Sequence, residues 1–70
     1  MRHEFARGHR RYLLSLDVDL FNAIVINRHW YGPGSRRHGR RQELFDCDSL
    51  ARARFEAVTQ YLLKAGYQRI

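Results

Sequence analysis

The sequence predicts an α+β fold, in which a small antiparallel sheet of three to five strands packs one α-helix on one face. Two observations lead to this prediction. Three segments have the residue types or turn boundaries of strands, with faces assigned by the period of two that strands have, and one later segment has helical spacing instead. The chain has 70 residues, the size of one domain, so a single small core must hold all of these elements together.

The three predicted strands follow one another along the chain. They cover residues 12–16, 23–31 and 40–45, and the β-branched run in the second segment is typical of a strand. Alternation places four residues of the second strand on one face: Ile24, Ile26, Arg28 and Trp30. Glycine and proline in residues 32–35 predict a turn before the third strand.

A single helix is predicted after the third strand. Its apolar residues are spaced four, three and four apart, which predicts a stripe facing the core: Ala51, Phe55, Val58 and Leu62. Asp46 or Cys47 lies near the N-cap, and Gly66 occupies a position typical of a helix C-terminus. Residues 68–70 are candidates for a short closing strand. Residues 1–9 are predicted to be a flexible basic arm, and residues 10–70 the domain itself.

The charge of the chain indicates a polyanionic partner. Thirteen basic residues against seven acidic ones give a net charge of +6, and Lys64 is the only lysine among the basic residues. Arginine forms bidentate hydrogen bonds to phosphate and stacks on flat rings. Nucleic acid is therefore the expected partner, and the alternative is an Arg-rich surface that is merely solvated.

Neither a catalytic site nor a metal site is predicted. Cys47 is the only cysteine, which excludes an intrachain disulfide and fits a reducing cytoplasm. The four histidines lack metal-ligand spacing, and no glycine-rich phosphate loop is present. No apolar run reaches the roughly 18 residues of a membrane-spanning helix. We therefore expect a cytoplasmic protein that is not an enzyme and that has no cofactor, no metal and no membrane contact.

Several short motifs follow the order found in one known family. They are Asp19-Leu20-Phe21, Trp30-Tyr31-Gly32-Pro33-Gly34 and Lys64-Ala65-Gly66-Tyr67. With these motifs, residues 12–67 resemble a WGR domain. That family occurs in DNA-damage-dependent poly(ADP-ribose) polymerases and in many bacterial proteins. The resemblance implies a small bacterial binding module of α+β fold rather than an enzyme.

The tryptophan motif departs from the family pattern. Where the family has Trp-Gly-Arg-x-Gly, Tyr31 and Gly32 replace the first glycine and the arginine. In the polymerases the tryptophan packs against nucleic acid near a strand end, and the motif arginine relays binding to neighbouring domains. The resemblance therefore implies nucleic-acid contact for Trp30 but no relay at position 32.

The candidate binding residues lie around the predicted turn: Arg28, Trp30, Arg36, Arg37, Arg40 and Arg41. The four arginines of residues 36–41 concentrate positive potential beside the only tryptophan, which can stack on a base or sugar. The predicted function is a non-catalytic nucleic-acid-binding module, with DNA favoured over RNA.

Each of these assignments has an alternative. Trp30 can be a structural anchor on the sheet, and the loop arginines can be solvated. A second basic group, Arg7, Arg10 and Arg11, is expected to add only diffuse attraction from the arm. The alternative function is a protein-protein interaction module that binds an acidic protein or a separately encoded enzyme.

Overall fold

The computed structural model describes residues 1–33 and 38–70, and these residues form the predicted α+β fold. The elements in chain order are β1 (Arg2–Arg7), β2 (Arg10–Val18), β3 (Ile24–Tyr31), β4 (Gly39–Phe45), α1 (Asp48–Lys64) and β5 (Gln68–Arg69). The strands form one sheet in the order β4-β3-β2-β1-β5, and every pairing is antiparallel. The predicted sheet with one helix on one face is confirmed.

Strand β1 corrects the prediction of a flexible arm over residues 1–9. It pairs along its whole length with β2 and also pairs with β5 on its other side. Gly8 and His9 form the two-residue turn between β1 and β2, and the φ of +59° at Gly8 is the positive value that a type II′ turn requires at its first central position. The side chain of Phe5 is fully buried. The first residues are therefore part of the sheet and of the core.

The core lies between α1 and one face of the sheet, which we call the helix face. The sheet contributes Phe5, Leu14, Leu16, Ile24 and Ile26, and the helix contributes Ala51, Phe55, Val58 and Leu62. The helical stripe predicted from the spacing is thus confirmed. We call the opposite side of the sheet the open face, because α1 packs only on the helix face.

The C-terminus of α1 turns the chain back toward the sheet. Gly66 has a φ of +95° and donates its N–H to the carbonyl of Leu63 at 3.2 Å. Tyr67 donates its N–H to the carbonyl of Leu62 at 3.0 Å, which completes a Schellman motif. The ring of Tyr67 packs against the core as a result. This motif determines where the last aromatic residue of the chain lies.

Replacing Phe5 with alanine tests whether β1 belongs to the folded core. A buried Phe→Ala change costs about 3–5 kcal/mol, which is comparable to the net stability of a domain of this size. We expect the variant to be largely unfolded by circular dichroism. Phe21→Ala is the control, since that side chain is 89% exposed, and its free energy of unfolding should change by less than about 0.5 kcal/mol. Equal stability of the two variants would contradict the burial of Phe5.

Candidate nucleic-acid interface

Beyond the last turn of α1, the side chains on the helix face are no longer apolar core residues. Along β3, Ile24 and Ile26 belong to the core, and the same face continues with Arg28 and Trp30, as alternation predicts. On β2, Tyr12 lies directly opposite Trp30. The part of this face that the helix does not cover therefore carries polar and aromatic side chains.

These side chains line a pocket of about 410 Å³ between the sheet and the end of α1. Its volume is within the range of roughly 300–1,000 Å³ that is typical of small-molecule sites. Five arginines, five aromatic residues and two aliphatic residues line it: Arg7, Arg10, Arg11, Arg28, Arg41, Tyr12, Trp30, Tyr31, Tyr61, Tyr67, Leu62 and Ala65. We call it the Arg/aromatic pocket.

Three of the aromatic rings are in contact with one another. The rings of Tyr12 and Trp30 are stacked, with centroids 5.8 Å apart and planes inclined by 18°. The edge of Tyr67 meets Tyr12 at a centroid distance of 6.0 Å. The guanidinium of Arg7 lies 5.3 Å from the centroid of the Tyr67 ring and donates to the carbonyl of Ala65 at 2.8 Å. Tyr12 and Trp30, whose planes are nearly parallel, form what we call the ring platform, and the edge of Tyr67 and this cation border it.

Gly39 leaves room for the Trp30 ring. The two residues are directly opposite each other on β4 and β3. A Cβ at position 39 would lie 2.6 Å from Cζ2 of Trp30, which is too close for any real contact. Trp30 therefore rests on the glycine backbone and on Tyr12 while part of its ring stays exposed. The anchoring role considered for Trp30 is present in the structure, and its contact with nucleic acid stays a prediction.

Arg28 is held by an ion pair at the inner end of the pocket. Its guanidinium contacts the carboxylate of Glu43, whose other oxygen lies 3.3 Å from Nε of Arg54. Burial works to raise the pKa of Glu43, but the arginines around it outweigh burial and lower the pKa. Burial works to lower the pKa of Arg28, and the contact with Glu43 more than offsets it, so that pKa is raised. The charge of Arg28 is therefore compensated within the protein.

The hydroxyl of Tyr12 remains uncharged next to this pair. Burial raises its pKa above the ordinary value of 10.0, and the nearby Arg28 only partly opposes the effect. Tyr12 consequently presents a neutral ring and a protonated hydroxyl at neutral pH. The inner part of the pocket is aromatic and its positive charge is partly offset by Glu43, whereas Arg10 and Arg41 are exposed at its border.

The structure distributes the predicted binding residues over both faces of the sheet. Three of the six line the Arg/aromatic pocket: Arg28, Trp30 and Arg41. Arg40 lies opposite His29 on the open face and lines a different pocket, of about 580 Å³. Arg36 and Arg37 lie outside the described residues. Because side chains alternate along β4, Arg40 and Arg41 cannot contact the same group on one face.

Nine of the twelve lining residues were not among the predicted binding residues, and they include Arg7, Arg10, Tyr12, Tyr61 and Tyr67. A signal for the two arginines exists, because Gly8 and His9 separate two segments that alternate in the manner of strands. The tyrosines have no comparable signal. They come together only through the docking of the helix and the register of the sheet.

No family model, curated protein or solved structure matches the chain. The similarity to WGR domains therefore remains a prediction that depends on the residues themselves. Within residues 1–33 and 38–70, no three side chains of His, Cys, Asp or Glu are grouped so that they could hold a metal ion. In the same part of the chain, no helix is long and apolar enough to cross a membrane.

Replacing Gly39 with alanine is expected to displace the Trp30 ring. The added methyl group would overlap Cζ2 of Trp30, and the far end of that side chain is the part that can move. Trp30 is the only tryptophan, so its fluorescence maximum reports the displacement directly. We expect a shifted maximum for Gly39→Ala and an unchanged one for Leu44→Ala, which alters the same strand on the open face. Identical spectra for both variants would show that Trp30 does not rest on Gly39.

Proposed function

We propose that the chain is a non-catalytic nucleic-acid-binding module whose contact surface is the Arg/aromatic pocket. The observation that carries the proposal is the grouping of exposed arginines with aromatic rings around one concave site. Arginine binds phosphate, and aromatic rings stack on bases or sugars whatever their sequence. Such a surface would position a nucleic acid without reading its sequence.

Two arginines are best placed to bind phosphate. Arg10 and Arg41 are exposed at opposite sides of the ring platform, and neither forms an ion pair with any of the described residues. The charge of Arg28 is partly offset by Glu43, which Arg54 shares, so Arg28 adds less to the positive potential of the site than the two exposed arginines do. Arg36 and Arg37 lie outside the described residues and stay predicted phosphate contacts from the sequence, with DNA as the favoured ligand.

The rest of the proposal follows the composition and the WGR resemblance. The net charge of +6 favours a polyanion, and the family implies binding rather than catalysis. A chain with one cysteine and this charge suits the bacterial cytoplasm, where nucleic acid is abundant. We assign the chain no cofactor and no metal.

Titration of duplex, nicked and single-stranded DNA at two salt concentrations tests this function. If about four phosphates are neutralised, log K should fall with log salt at a slope of roughly −3.6 on duplex DNA. Trp30→Ala should weaken binding with little change in slope, whereas Arg36→Ala/Arg37→Ala should flatten the slope by about 1.8. Absence of binding to all three ligands at low salt would refute the function.

A matched pair of single variants separates local contacts from net charge. Arg41→Ala and Arg52→Ala each remove one positive charge, but Arg52 pairs with Asp48 on α1 and does not line the pocket. We expect Arg41→Ala to weaken DNA binding clearly more than Arg52→Ala does. Equal losses would indicate diffuse attraction to a basic protein rather than a site.

A protein-binding function is the second candidate, and the observation that favours it is the turn between β2 and β3. Between β2 and β3, Leu20 and Phe21 are 98% and 89% exposed. The carboxylate of Asp19 accepts hydrogen bonds from the N–H groups of Phe21 and Ala23 at 2.8 and 2.9 Å, which holds the turn in one shape. Large apolar side chains presented in this way are typical of contact sites for other proteins. An acidic protein or a separately encoded enzyme would be the partner.

Capture experiments after nuclease treatment distinguish the two functions. A partner that binds through the turn should persist without nucleic acid and should be lost when Leu20 and Phe21 are both replaced by serine. The same double variant should keep its affinity for DNA, because the turn does not line the Arg/aromatic pocket. A partner that disappears with nuclease treatment alone would argue against this second function.

A further inference from the structure

The side chains around the Arg/aromatic pocket form successive rows across the sheet. The central row contains Gly39, Trp30 and Tyr12, which lie opposite one another on β4, β3 and β2. Arg41 lies two residues from Gly39 on one side of this row, and Arg10 lies two residues from Tyr12 on the other. Two residues span about 6.6 Å along a strand. The ring platform is therefore flanked by an arginine in both strand directions.

Aromatic platforms require a base whose face is accessible. In a duplex, the faces of each base are covered by its stacked neighbours, and only base edges and the backbone can be reached. An unpaired base exposes its faces and can stack on side-chain rings. The pocket volume of about 410 Å³ suits one unpaired base rather than a duplex.

The charge distribution of the pocket matches the two parts of a nucleotide. Glu43 offsets part of the positive charge of Arg28 and Arg54, and the hydroxyl of Tyr12 is neutral, so the inner part is less positive than the border and suits an uncharged base. The exposed cations are at the border, where phosphates remain in water. A nucleotide within a strand has one phosphate on each side of its base, as the platform has one arginine on each side.

We propose that the pocket binds one unpaired nucleotide of a nucleic-acid strand, with its base on the Tyr12 and Trp30 rings and its flanking phosphates on Arg10 and Arg41. The inference rests on the proposed nucleic-acid-binding function and specifies which form of nucleic acid the pocket prefers. Paired DNA is bound mainly through its backbone. A strand that offers an unpaired base adds the contact with the rings.

The test compares labelled duplexes that differ at one position. One is fully paired, one carries a single unpaired adenosine, and one carries an abasic residue at the same bulge. The duplex with the unpaired adenosine should bind roughly 5-fold or more tightly than the paired duplex, and the abasic one should lose most of this gain. Only the unpaired base should strongly quench the fluorescence of Trp30.

A variant outside the core tests whether the preference for an unpaired base comes from the aromatic rings. Trp30→Ala removes one of the two rings on which the base is placed, and Leu63→Ala is the control, since Leu63 is exposed and does not line the pocket. Trp30→Ala should weaken binding to the duplex with the unpaired adenosine clearly more than binding to the paired duplex. An equal loss for both duplexes would overturn the assignment of the base to the rings.

The remaining outcomes separate this inference from the proposed function. Equal affinity for paired, bulged and abasic duplexes would overturn the unpaired-nucleotide site while nucleic-acid binding itself would stand. Failure to bind any of the three at low salt would overturn both. Free dAMP should compete only well above the Kd of the bulged duplex, because it has a single phosphate. Competition at that Kd would assign the pocket to a free nucleotide and overturn its assignment to a strand.

Discussion

The contact between α1 and the helix face is the interaction on which the rest of the structure depends. Phe55 and Leu62 pack there against Phe5, Leu14 and Ile26, and all five side chains are nearly or fully buried. A domain of this size has little other apolar surface to bury. Because the helix ends before it covers the whole sheet, the same face provides both the core and the Arg/aromatic pocket. The same strands extend from the core into the Arg/aromatic pocket.

A layer of charged side chains lies between the apolar core and the Arg/aromatic pocket. Arg28 and Glu43 are mostly buried and satisfy each other, and Arg54 on α1 joins them from the helix. Separating such a pair would leave a buried charge uncompensated, which is costly. The layer connects the helix to the sheet at the point where apolar packing stops. It also lowers the positive charge of the inner part of the pocket relative to the border, where Arg10 and Arg41 are exposed.

Local patterns predicted the later elements well and the first one poorly. The β-branched run of residues 24–26 identified β3, and the period of two correctly placed Arg28 and Trp30 on the core side of their strand. Strand β1 has Phe5 as its only fully buried apolar side chain, so its sequence resembles a polar arm. Its strand conformation depends on pairing with β2 and β5, and β5 lies at the other end of the chain. Pairing between distant segments leaves little trace in a short stretch of sequence.

The sequence by itself determined the α+β class, the helical stripe and the side of β3 on which Trp30 lies. Those properties follow from periods of two and 3.6 residues, which are local consequences of backbone geometry. Only the tertiary structure decided that Arg10, Tyr12 and Tyr67 join Trp30 and Arg41 in one pocket, while Arg40 lines another. Strand register and helix docking bring these residues together, and both are set by burial of the shared core.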